Sequence, residues 1–132
     1  MEKSILVIDD EPDVRRVLEI RLSAKGYKVF TAETGSEGFS LALKLIPNLI
    51  LLDYKLPDQT GDEVCKKIKA NESLKHIPVI LITASEARGA LKTLKEMHAD
   101  DFLLKPFIAE DLYKKIELHL FPLVVDGQDI MK

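Results

Sequence analysis

ILVIDDEPD, residues 5–13, sets four branched apolar residues directly against three adjacent acids and a proline. Apolar side chains at every position from Ile5 to Ile8 need cover on both faces, the pattern of a central strand in a parallel sheet flanked by helices. Asp9 and Asp10 then stand at the carboxyl end of that strand. In open α/β sheets this edge is where ligands bind, and two carboxylates crowded there repel unless a cation neutralises them. A plainer reading is that Asp10 or Glu11 caps the helix that follows, whose first turn suits Pro12. This stretch by itself allows both.

The chain as a whole narrows the field. Its 132 residues match one domain with a genuine core. With 46% apolar and 31% charged residues it reads as globular rather than disordered. A net charge of -3, and no basic run longer than a pair such as Lys66-Lys67 or Lys114-Lys115, argue against direct nucleic-acid binding. The longest apolar runs, around residues 45–52, fall far short of the ~20 residues of a membrane helix. The first strand begins too close to Met1 for a signal peptide to precede it, so a cytoplasmic location is expected, with no membrane partner. A single cysteine, Cys65, cannot form an internal disulfide, as suits a reducing compartment. Its helical setting beside Val64 reads as a small buried hydrophobe rather than a reactive thiol.

Further apolar segments follow at KVFTA (28–32), NLILLD (48–53), PVILIT (78–83) and DFLLK (101–105). Between them, and after the last, lie stretches with helical spacing. The first starts at Pro12, carries Val14, Val17, Leu18 and Leu22 on one stripe and ends at Gly26. The second, 35–46, carries Phe39, Leu41, Ala42, Leu43 and Ile46 and stops before Pro47. A third starts at Gly61, with Val64 and Ile68. A fourth starts near Ser85, with Ala87, Ala90, Leu91 and Leu94. The last, 109–121, is expected to bury Leu112, Ile116 and Leu120 before Pro122. Strict alternation of strand and helix predicts an α/β fold, a doubly wound, mostly parallel sheet with right-handed crossovers. Residues 1–121 form the predicted domain, and 122–132 a tail or the start of a linker.

Asked of every strand, the question raised by the first stretch has one answer. The strands end in Asp9-Asp10, Asp53, Thr83 and Lys105. All lie at the carboxyl edge of one sheet, so with the middle strands adjacent their polar groups converge in a shallow cleft. Hard carboxylate oxygens are what Mg²⁺ selects, and a metal held by Asp10 and Asp53 would relieve the repulsion.

The motifs VIDDEP (7–12), LLDYKLPDQTG (51–61), ILITA (80–84) and FLLKPF (102–107), in this order and spacing, resemble the receiver domain of response regulators from bacterial two-component systems, over residues 3–121. The resemblance implies a flavodoxin-like (βα)5 fold with strand order 2-1-3-4-5. It implies that Asp53 is the phosphoacceptor, its carboxylate attacking phosphorus in line, and that the domain is a switch rather than an enzyme with its own substrate. Asp10 and Asp53 would bind Mg²⁺ directly, Asp9 through water, and the backbone carbonyl of Lys55 would be a further ligand. Lys105 would supply a cation to the phosphoryl group, with Pro106 after a cis bond. Thr83 and Phe102 would form the switch, the hydroxyl moving toward the phosphoryl oxygen and the ring filling the space vacated. Phe in a place where the family often has Tyr removes one hydroxyl hydrogen bond. The output face would comprise the helix from Ser85, the last strand and the last helix, with Gly89 loosening the first of these.

The phosphodonor would be the phosphohistidine of a histidine kinase or histidine phosphotransferase. His76, His98 and His119, on a loop and two helices, show no metal-ligand spacing. Ile20, flanking the first helix's buried stripe, is a candidate docking residue for the donor, and Lys55 a candidate shield of the acyl phosphate against water. The downstream effector is unknown, and DNA binding is expected only from a part not in this sequence, which is a freestanding regulator or a fragment of a longer chain. Two rivals are a Mg²⁺-dependent phosphohydrolase of haloacid-dehalogenase type, disfavoured because Lys55 stands where a second Asp is needed, and a non-phosphorylated scaffold or flavin binder of the same architecture, disfavoured for flavin because IDDEPD repels a phosphate.

Overall fold

Every residue of Leu49–Asp53 is buried, as are Ile5–Ile8, and these two segments lie side by side as the centre of a five-stranded parallel sheet. The computed structural model describes residues 2–84 and 98–122. Its strands are β1 (Ser4–Ile8), β2 (Lys28–Ala32), β3 (Leu49–Asp53), β4 (Val79–Ala84) and β5 (Asp101–Lys105), in the order β2-β1-β3-β4-β5. The helices are α1 (Pro12–Ala24), α2 (Gly35–Leu45), α3 (Gly61–Ala70) and α4 (Ala109–Leu120). The expected helix from Ser85, including Gly89, and the tail from residue 123 lie outside the described residues.

The period-2 alternation of strand side chains splits the core into two layers. Leu6, Ile8, Ile50, Leu52 and Leu81 pack with α2 and α3 through Ala42, Val64, Cys65 and Ile68. Ile5, Val7, Leu49, Leu51, Ile80 and Ile82 pack with α1 and α4 through Leu18, Leu22, Leu112 and Ile116. Burying each of these branched side chains stabilises the fold by about 1.5–3 kcal/mol before chain entropy is charged against it. Among the described residues no helix is long and apolar enough to cross a membrane.

Helix ends follow local chemistry. Gly26 adopts φ 95, a conformation open to a residue without Cβ, and its N–H closes the α1 terminus on the Ser23 carbonyl. The Thr34 side chain accepts from the Glu37 N–H at the start of α2, and a Thr60–Glu63 capping box starts α3.

Three expectations need correction. Val17 is 47% exposed: at about 100° per residue it turns away from the Val14, Leu18 and Leu22 line and sits on the rim of a groove between α1 and α4. Leu120, the last residue of α4, is only half-buried, at the margin of the layer that α4 packs against. His98 lies in a turn with φ 64 rather than in a helix, since a left-handed residue cannot continue one.

Candidate functional site

The chain leaves β1 through Asp9, whose N–H still pairs with the Ala32 carbonyl of β2. Asp9 is 2% exposed, and its side chain folds back so that Oδ1 accepts the Glu11 N–H at 2.9 Å. The start of α1 is thus held by Asp9. Glu11 is the N-cap, yet its own side chain makes no capping bond, so neither Asp10 nor Glu11 caps α1 with its side chain. Asp10 is instead exposed on a cleft of about 520 Å³, together with Glu11, Asp53, Tyr54, Lys55, Thr83 and Lys105.

Asp53 enters this cleft from the last position of β3, 7% exposed. Carboxylate oxygens of Asp9, Asp10 and Asp53 all lie within 4.8 Å of one another. Lys105, at the end of β5, places Nζ 3.4 Å from Asp9, 3.5 Å from Asp53 and 3.6 Å from Glu11. Burial, with the Asp9 charge second, pushes the Asp53 carboxyl up to about 6 against the pull of Lys105. Burial also raises the Asp9 carboxyl, opposed by the Glu11 N–H and Lys105. Burial works against the Lys105 ammonium, but Asp53, Asp9 and Glu11 outweigh it and raise its pKa. One ammonium among these carboxylates leaves negative charge uncompensated. A compact set of carboxylate oxygens, two of them on desolvated side chains, fits a small hard divalent cation.

The sequence-predicted site residues therefore converge in part by direct contact and in part by a shared wall. Asp9, Asp53 and Lys105 touch, Asp10 joins through its oxygens, and Lys55 and Thr83 line the same cleft. The Lys55 backbone is tied to Thr60 by an isolated bridge. Thr83 is 1% exposed, with its hydroxyl 3.3 Å from the Ala84 carbonyl. Phe102 is outside the cleft. It pairs across the ladder with Leu81, two residues before Thr83 on the same sheet face, and packs half-buried on the layer shared with α3. The Lys105-Pro106 bond is cis, as expected.

Three features escaped the sequence. Arg15 donates from Nη1 to the Asp9 carbonyl at 2.8 Å. Asp58, readable only as a turn residue, accepts the N–H groups of Gly35 and Ser36 at 2.9 Å each. Those bonds, the Gly35 one first, lower its pKa to about 2, and they clamp the loop after Asp53 onto the positive end of α2. Gly61 presses against Asp53 itself, because a Cβ there would lie 2.5 Å from the Asp53 carbonyl oxygen.

Elsewhere, Cys65 is fully buried with Sγ 2.9 Å from the His98 carbonyl, and burial pushes its thiol up to about 12, far from a reactive thiolate. His119 pairs with Asp101 at 3.0 Å, alongside Lys115. Among the described residues, His76, His98 and His119 join no metal-binding group.

The family model described as the response regulator receiver domain matches residues 5–117. The response regulator PleD of Caulobacter vibrioides is 40% identical over 127 residues, covering 96% of this chain but only 28% of PleD. Among solved structures, the chemotaxis response regulator CheY4 of Vibrio cholerae superposes with a TM-score of 0.84 at 28% identity, covering 91% of this chain and 100% of that one. The receiver domain of the sensor histidine kinase PA1611 from Pseudomonas aeruginosa, whose structure has a magnesium ion coordinated in the active-site cleft, gives 0.83 at 27%, covering 91% and 98%.

Proposed function

The chain belongs to the response regulator receiver domain family, and on that premise we propose that it accepts a phosphoryl group from the phosphohistidine of a histidine kinase or histidine phosphotransferase onto Asp53, with Mg²⁺, and relays the change to a downstream effector in the cytoplasm. The observation that carries this reading is the meeting of Asp9, Asp10, Asp53 and the Lys105 ammonium in one cleft at the ends of three strands. The working unit is residues 1–121, acting on protein partners rather than on a membrane or nucleic acid.

Asp10 and Asp53, with Asp9 through water and the Lys55 carbonyl, would hold Mg²⁺, which when bound neutralises charge on the transferring group. With a pKa near 6, the Asp53 carboxylate is mostly ionised at neutral pH and is the nucleophile. Its oxygen forms the new O–P bond while the P–N bond to the donor imidazole breaks and the imidazole takes up a proton. Lys105, already shared between Asp9 and Asp53, shifts its ammonium toward the phosphoryl oxygens. Thr83 donates its hydroxyl to one of them, and the Phe102 ring follows into the space left behind.

Intact mass after incubation with Mg²⁺ and a small acyl- or amidophosphate donor tests this. A single phosphoryl adduct that hydroxylamine removes, and that is lost in Asp53→Asn or without Mg²⁺, is the expected result. No adduct under any condition would sink the reading and favour a non-phosphorylated scaffold.

Two further outcomes are expected. Lys55 is exposed on the rim of the cleft, where its stem can restrict the in-line approach of water, so Lys55→Asn should speed loss of the adduct, measured as the decay of phosphoprotein. An unchanged decay would leave Lys55 only a backbone role. Ile20 is 59% exposed on α1; Val17 of the same helix, 47% exposed, lines an apolar groove of about 650 Å³ with Phe107 and Leu112. Ile20→Glu should slow transfer from a phosphorylated histidine phosphotransferase by about tenfold, the worth of ~1.4 kcal/mol of lost contact, while labelling by the small donor stays unchanged.

A further inference from the structure

We infer that Arg15 is a positioning residue for the acidic cleft: its guanidinium pins the peptide joining Asp9 to Asp10 and so sets where those two carboxylates point. The inference rests on the proposed reading of the cleft as a divalent-cation site.

At the exit of β1 three bonds define Asp9. Its N–H goes to the Ala32 carbonyl at 3.0 Å, its Oδ1 takes the Glu11 N–H at 2.9 Å, and its carbonyl oxygen takes Arg15 Nη1 at 2.8 Å. β2 ends at Ala32, so the sheet has run out of donors just where the Asp9 carbonyl needs one. Among the described residues no backbone N–H reaches that oxygen, and a buried carbonyl without a partner is costly. Arg15 supplies a charge-assisted donor instead.

The guanidinium is itself held. The Arg15 backbone N–H reaches the Glu11 carbonyl at 3.1 Å, which seats the residue in the first turns of α1. Nη2 faces Glu33 at 3.7 Å, and the side chain is only 17% exposed, whereas the neighbouring Arg16 is exposed. The Asp10 carboxylate starts from the far side of the pinned peptide and is solvent-exposed, so the backbone direction aims it. Arg15 contacts the Asp9 carbonyl rather than either carboxylate, so its leverage is geometric.

Charge and geometry predict opposite signs. Arg15 is a cation beside a cation site, and Coulomb's law alone says that deleting it tightens binding of a dication. Loss of positioning weakens binding.

The test is Mn²⁺ titration of the full chain, followed by the electron paramagnetic resonance of free Mn²⁺, for the parent, Arg15→Met, Arg15→Lys and Arg16→Met. Arg15→Met should bind about tenfold more weakly, the usual scale for removing an outer partner of a metal ligand. Arg15→Lys, which restores a cationic donor, should recover most of the loss, and Arg16→Met should match the parent. Binding by Arg15→Met as tight as, or tighter than, the parent's would overturn the inference while leaving the cation site standing. A parent that binds no Mn²⁺ would overturn the cleft reading and the inference with it. If Arg15→Met does not fold, Arg15→Gln carries the same comparison, with weaker binding again expected and equal or tighter binding again decisive against it.

Discussion

In chelator-containing buffer at pH 7, Asp53→Asn is expected to be more stable than the parent protein. The Asp53 carboxyl is raised from 3.8 to about 6, first by burial and then by the Asp9 charge, a balance that already includes the opposing attraction of Lys105. A carboxyl raised on folding binds its proton more tightly in the native state, so ionising it costs stability. That cost is absent below the unfolded-state value of 3.8, grows as pH rises toward about 6, and is complete above it. At about 1.4 kcal/mol per pKa unit the penalty is on the order of 2–3 kcal/mol at pH 7. Asn keeps the shape and removes the charge. Urea unfolding of both proteins from pH 3.5 to 8 should give curves that nearly coincide at the acid end, separate between about pH 4 and pH 6 and run parallel above that. Parallel curves across the range would mean that the buried carboxylate is not strained by its surroundings. The same substitution is expected to abolish the phosphoryl adduct, so stability and function would trade at one atom pair, as expected of sites that store unfavourable charge for later use.

Gly61→Ala is the second large effect expected. A Cβ at this position would lie 2.5 Å from the Asp53 carbonyl oxygen, 2.9 Å from the Tyr54 Cα and 2.8 Å from Leu81 Cδ1. Two of the three obstacles are backbone, which cannot swing aside as a side chain can. The Gly61 N–H also donates to the Tyr54 carbonyl at 2.6 Å, so relieving the clash pulls α3 away from the end of β3 and carries the acceptor with it. Overpacking of this kind costs about 1–3 kcal/mol, and an acceptor displaced by about an ångström can lose ~100-fold in rate. Both the urea midpoint and the rate of adduct formation from a small phosphodonor should therefore fall. Gly26→Ala is the control. A Cβ there meets nothing within 4 Å, and φ 95 makes the substitution strained without touching the cleft, so stability should drop by about 1 kcal/mol with the labelling rate unchanged. A Gly61→Ala protein labelled at the parent rate would show that the close approach of α3 does not hold Asp53.

How far the site could be read in advance depended on which residues one inspects. Ile5–Ile8 and Leu49–Asp53 announce central strands because both faces of each are apolar, and their buried, adjacent places follow. Asp53 and Lys105 were legible for the same reason, since a polar residue that ends an apolar run must emerge at the sheet edge. Val17 was misread because the helical stripe it borders is narrower than its apolar neighbours suggest. Glu11 does take the N-cap position of α1, but without a capping bond from its side chain, and its own N–H is held from behind by Asp9.

The amino-acid order by itself determined the alternation of strand and helix, the two-layer core and the identity of the acids, hydroxyl and lysine that share one edge, because periodicity and strand ends are local properties that a linear string encodes. Only the tertiary structure decided that Lys105 is divided among Asp9, Asp53 and Glu11, that Asp58 grips the head of α2 and that Arg15 completes a carbonyl the sheet leaves without a donor. Each depends on ångström distances between segments and on the direction in which a loop leaves its strand, and no spacing along the chain carries that information.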